Sequence, residues 1–145
     1  MSLAFIVAAP FVLAGIGTDF RSLRLPLWVT VPLLFVAGWV SWEGYHRGCV
    51  EYPVGLLLGG LVPGLLAGVS RGRKIGMGDV LLGAALGGIA GAPDILSILL
   101  GGSIMATAHA ALSSKTRGIA PLGAYMGIAF FVVMAVGRHG VCAVL

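Results

Sequence analysis

The chain has 145 residues, of which 59% are apolar and only 10% charged, with a formal net charge of +4. An ordinary soluble domain carries about 25% charged residues. The composition therefore excludes a disordered chain, a nucleic-acid-binding domain and a soluble enzyme, and it makes the lipid bilayer the solvent of the fold.

A spanning helix uses about 20 mostly apolar residues, and six would take nearly the whole chain. Residues 1–145 are accordingly read as one membrane-embedded domain: all-α, polytopic, six transmembrane helices in a compact glycine-rich bundle. In chain order the apolar segments are Leu3–Thr18, Pro26–Ser41, Tyr52–Ser70, Met77–Ala92, Ile95–Leu112 and Ile119–Gly137. No Lys or Arg precedes the first, so it lacks the basic start of a signal peptide and is read as a retained helix. Trp28, Trp39 and Trp42 are expected near the membrane interfaces, where aromatic belts form.

Charged and turn residues fill the breaks. The first holds Asp19, Arg21 and Arg24; the second Glu43, His46, Arg47 and Glu51; the third Arg71, Arg73 and Lys74; the fourth Pro93 and Asp94; the fifth Lys115 and Arg117. Breaks one, three and five contain seven of the nine basic residues. The positive-inside rule puts those breaks in the cytoplasm and both chain ends outside. Cys49 and Cys142 then lie outside, where a disulfide can form, though two separate thiols are the plainer reading. The absence of a CxxC pair excludes a thiolate zinc site, and no metal or cofactor is expected. Glycines recur every four residues at Gly60, Gly64 and Gly68, at Gly83, Gly87 and Gly91, and at Gly123 and Gly127. Small residues at this spacing let helix backbones approach closely.

The chain has five acidic residues. Glu43 and Glu51 read as solvated loop charges, and Asp94, after Pro93, as a helix N-cap. Asp19 and Asp79 fall at cytoplasmic helix ends on faces marked by small residues: Asp19 follows Gly15 by four, and Asp79 heads a stripe with Gly83 and Gly87. An ionisable group at membrane depth is costly and points to function. The plainer alternative pairs these acids with Arg21 and Arg73 at the interface. Two carboxylates without a nucleophilic partner suit an aspartyl dyad, in which one accepts a proton from an attacking water and the other donates to the carbonyl oxygen. Gly76 and Gly78, just before Asp79, are candidate substrate-binding residues, because glycine lets a substrate backbone come close. His109 is expected to be a hydrogen-bonded packing residue and not a catalytic one.

These residues carry a resemblance. Thr18-Asp19-Phe20-Arg21-Ser22-Leu23-Arg24-Leu25-Pro26 resembles the first motif of the type IV prepilin peptidases, and Gly76-Met77-Gly78-Asp79-Val80 resembles their GxGD motif. Ile119-Ala120-Pro121-Leu122-Gly123 loosely resembles their entry to the last helix. Leu27 and Leu81 depart from the residues usual in the family, Asn and Lys, without replacing either acid. The resemblance implies a GxGD membrane aspartyl protease with Asp19 and Asp79 catalytic, which removes the basic leader from a prepilin or pseudopilin at the inner membrane of a bacterium. The tetracysteine zinc region of the methylating members is missing, so the chain is similar to the short, peptidase-only type of Tad/Flp pilus systems, and N-methylation is not expected. Two rival readings are a small proton- or ion-coupled transporter using both aspartates and a non-catalytic assembly protein of a secretion system.

Overall fold

The computed structural model describes residues 3–22, 25–69, 75–112 and 121–136. The described residues form six helices and no strand: α1 Leu3–Ser22, α2 Leu27–His46, α3 Glu51–Val69, α4 Met77–Ala90, α5 Ala92–Leu112 and α6 Leu122–Val136. Helices are the open-ended solution in a bilayer, because each satisfies its backbone hydrogen bonds internally. Number and order match the apolar segments, but several ends move, those of α1 and α2 the most. α1 runs through Asp19 to Ser22, and α2 runs through Glu43 to His46, because charged residues continue a helix where an apolar run stops.

Of the six expected spans, α1, α2, α3 and α5 are long and apolar enough to cross a membrane. α4 and α6 have 14 and 15 residues. At 1.5 Å per residue α4 is roughly 21 Å long, short of the ~30 Å hydrocarbon core, and the described part of α6 is roughly 23 Å.

α4 is the hub. Leu82 through Ile89 are buried without interruption, and the helix packs against α2, α3, α5 and α6. A helix apolar on all sides and covered on all sides is a core helix. Around it, Val12, Val29, Leu33, Leu86, Ile95, Ile98, Met126 and Phe130 close one hydrophobic core.

The α3–α4 contact is the tightest. Gly55 and Gly59 of α3 lie against the backbones of Gly87 and Gly83, so closely that no Cβ fits at any of the four. The stripe expected at Gly60, Gly64 and Gly68 is therefore displaced. Gly60 touches Ala84 lightly, and nothing lies within 4 Å of a Cβ at Gly68. Several i, i+4 sets exist in a glycine-rich helix, and the crossing partner decides which one is used. The opposite face of α3 presents Leu57, Leu61 and Leu65, all exposed. Small residues inside and large apolar ones outside invert the pattern of a soluble protein and suit a lipid surround. Trp28 and Trp42 are exposed near the two ends of α2, and Trp39 is exposed two turns inside its C-terminal end.

The α4–α5 break is one residue, Gly91, whose φ of +94° reverses the chain at no steric cost. Asp94 is therefore not the N-cap of α5; it lies inside the first turn, because the helix already starts at Ala92. At the α2–α3 turn Gly48 has φ +79°. Here Glu43 meets Arg47 at 3.8 Å, an exposed pair of small energetic weight.

Candidate active site

Asp19 and Asp79 come together at the end of the bundle where α1 finishes and α4 and α6 begin. On α1, Ala8, Val12, Gly15 and Asp19 fall on one face, and Ala8, Val12 and Asp19 are buried. Gly15 admits α2: a Cβ there would lie 3.3 Å from Val29 and 3.5 Å from Leu25. The same stripe carries Asp19 inward, where it is 4% exposed. Its carboxylate Oδ2 accepts a 2.8 Å hydrogen bond from the Ala124 N–H, and the Gly123 N–H faces it as well. Asp19 forms no ion pair with Arg21. Its partner is instead the first turn of α6, whose free N–H groups and positive end of the helix dipole suit a carboxylate.

Asp79 is the third residue of α4 and half-buried. Its Oδ2 accepts a 3.2 Å hydrogen bond from the Gly76 N–H. The Gly76 carbonyl accepts from the N–H groups of Asp79 and Val80 at 3.1 and 3.4 Å. This reciprocal closure starts the helix and fixes the Asp79 rotamer. Gly76 itself is extended, with φ −81° and ψ 158°, and exposed.

Gly123 lies between the acids. A Cβ there would sit 2.9 Å from Asp79 Oδ1 and 3.2 Å from Asp19 Oδ2. The two carboxylates thus converge on one small volume, and a glycine is what leaves that volume open. Leu25 closes the site from the α1–α2 connection, touching Gly15, Gly78 and Gly123. A Cβ at Gly78 would be 2.8 Å from that of Leu25. Gly78 thus packs α4 against Leu25, while Gly76 faces outward. Beside Gly76 opens an apolar groove of about 470 Å³, lined by Gly64, Ala67, Gly68, Ile75, Gly76, Met77 and Val80.

The other acids are elsewhere. Glu43 and Glu51 flank the α2–α3 turn and Asp94 opens α5, all at the far end of the bundle. His109 hydrogen-bonds through Nδ1 to the Tyr125 hydroxyl, in keeping with a packing role. Sequence reasoning did not single out Leu25, Ala124 or Tyr125, since an apolar residue and a backbone N–H have no signature of their own. Arg24, Arg71, Arg73, Lys74, Lys115, Arg117, Arg138, His139 and Cys142 lie outside the described residues, as does Ile119-Ala120. The expected pairing of Asp79 with Arg73 and most of the basic-loop count fall on them. Cys49 is buried and is not a free thiol. Among the described residues no three His, Cys, Asp or Glu side chains gather as a metal site.

Residues 6–111 match a family model described as the type IV leader peptidase family. The matched stretch contains Asp19, Gly76, Gly78 and Asp79, and ends before Gly123. No curated protein and no solved structure matches the chain.

Proposed function

The chain belongs to the type IV leader peptidase family, and from that premise we propose that it is an aspartyl endopeptidase with Asp19 and Asp79 as its catalytic pair. Its family makes it a peptidase with a prepilin-type substrate, and its long apolar helices make it a membrane protein. The finer reading is a Flp-like prepilin, cut at the cytoplasmic face of the inner membrane of a bacterium, with residues 1–145 as one peptidase domain and all six helices within the bilayer. In that arrangement α4 is the short central element, and both chain ends lie outside.

The observation that carries this reading is the convergence of both carboxylates on Gly123. Two close carboxyl groups hold one proton between them, because like charges at short range do not both ionise. The ionised group takes a proton from a water, and the water oxygen attacks the scissile carbonyl carbon. The protonated group donates a hydrogen bond to the carbonyl oxygen, which becomes the oxyanion. When the C–N bond breaks, a proton passes to the leaving nitrogen, and the pair ends with one proton, as it began. The extended Gly76 backbone beside the groove would hold the substrate strand, and Gly78 sets the approach of α4 to Leu25.

The test is co-expression with candidate prepilins, reading leader removal by mass. Asp19→Asn and Asp79→Asn should each lower cleavage about 10²–10⁴-fold, with the protein still in the membrane. Full cleavage by either variant refutes the dyad. Proton-coupled uptake by vesicles of the purified protein would favour a transporter instead.

A further inference from the structure

The hydrogen bond from Ala124 to Asp19 is bracketed on both sides. Phe20 follows Asp19, and Tyr125 follows Ala124; their rings meet edge to face, with centroids 5.7 Å apart at 82°. The Tyr125 hydroxyl then reaches a third helix, hydrogen-bonding His109 Nδ1 on α5, with the two ring centroids 5.7 Å apart. The Tyr125 N–H in turn bonds the Pro121 carbonyl at 3.3 Å, closing the first turn of α6. One side chain thus fixes that turn against both α1 and α5, and Gly123 and Ala124 sit within it.

We propose that Tyr125, tied to His109, is a positioning residue that holds the Ala124 N–H on the Asp19 carboxylate. Its hydroxyl is hydrogen-bonded to His109 and to neither carboxylate. It acts through the placement of the α6 first turn, and so through the separation of the two acids across Gly123. The proposal rests on Asp19 belonging to the catalytic pair. An error near 1 Å at such a site lowers the rate without weakening the binding of substrate.

The two roles, positioning and plain packing, separate in variants. Tyr125→Phe keeps the ring contact with Phe20 and removes the hydroxyl. His109→Leu removes the hydrogen-bonding partner, whereas His109→Asn keeps a polar group where Nδ1 stood. Two readouts are taken on the full chain in nanodiscs: hydrogen exchange of the Ala124 amide by NMR, and cleavage of a synthetic polypeptide with a basic leader, a glycine and an apolar helix.

Tyr125→Phe and His109→Leu should each speed Ala124 exchange about tenfold and lower kcat about tenfold, with KM unchanged. His109→Asn should restore both. Unchanged exchange in Tyr125→Phe overturns the proposal whatever cleavage does. Faster exchange with an unchanged kcat overturns the link to catalysis. A rise in KM with no rescue by His109→Asn assigns the pair to packing alone and overturns it too. If the wild-type chain cleaves no leader, the peptidase reading has failed, and the exchange result alone decides whether Tyr125 holds Ala124 in place.

Discussion

Asp19 and Ala124 lie 105 residues apart in the chain and are joined by a 2.8 Å hydrogen bond from the Ala124 N–H to the Asp19 carboxylate. The bond ties the end of the first helix to the start of the last, and brings Gly123 between the two acids. The site is therefore assembled from opposite ends of the sequence, and it is sensitive to any atom added at its centre.

Gly123→Ala supplies the sharpest test of that geometry. The new methyl would press on Leu25 and stand 2.9 Å from Asp79 Oδ1 and 3.2 Å from Asp19 Oδ2, so the carboxylates must part. A displacement of this size should lower kcat about 10²-fold, in a protein that still inserts in the membrane. Steady-state kinetics on purified protein checks it, and wild-type kcat would mean that the acids do not work across this point.

The glycines of α3 should divide by what they touch. At Gly59 a Cβ would meet the Gly83 carbonyl carbon at 2.8 Å, whereas at Gly68 it meets nothing. Gly59→Ala should destabilise by about 1–3 kcal/mol as the helices are forced apart. Gly68→Ala should be neutral or stabilising, by up to about 1 kcal/mol, through the reduced freedom of the unfolded chain. Unfolding in detergent for the two variants side by side measures the difference.

Cleavage should follow a bell-shaped pH profile. The mechanism needs one carboxyl protonated and one ionised, so activity rises as the first proton leaves the pair and falls as the second leaves. The two limbs belong to the dyad and not to either residue alone. The profile of kcat/KM in nanodiscs tests this. A rate that climbs to a plateau and stays there would leave no role for the protonated partner.

Topology offers an independent check. The acids and the turn at Gly48 lie at opposite ends of α2, about 30 Å apart along a 20-residue helix. A membrane-impermeant thiol reagent should reach Val50→Cys from outside intact cells and Ser22→Cys only after lysis. Gly48 is a poor labelling position, because its φ of +79° strains any side chain. Reversed labelling would put the acids on the face away from a cytoplasmic leader.

Helix number, helix order and the two inward acids were legible because a carboxylate beside an apolar run stands out against a hydrocarbon solvent. Helix ends were less legible. Hydropathy marks where lipid stops, and α1 and α2 continue past that point through Asp19 and Glu43. The packing stripe of α3 was misplaced by register, since Gly55–Gly59 and Gly60–Gly64 have the same spacing and only the neighbouring helix distinguishes them. The contribution of α6 was almost invisible. Its donors are backbone N–H groups, which every residue except proline carries, and position alone makes Ala124 special.

The glycine seam between α3 and α4 has a mechanical meaning. Where Gly55 and Gly59 meet Gly87 and Gly83, backbone lies on backbone, with no side chain between the two helices at the points of closest approach. Such a joint is either shut or parted; it cannot yield by degrees. Asp79 therefore stands on a fixed post. Any compliance at the site falls to the opposite wall, where Leu25 and Ile16 meet Gly123 and Gly127 through side chains that can turn aside.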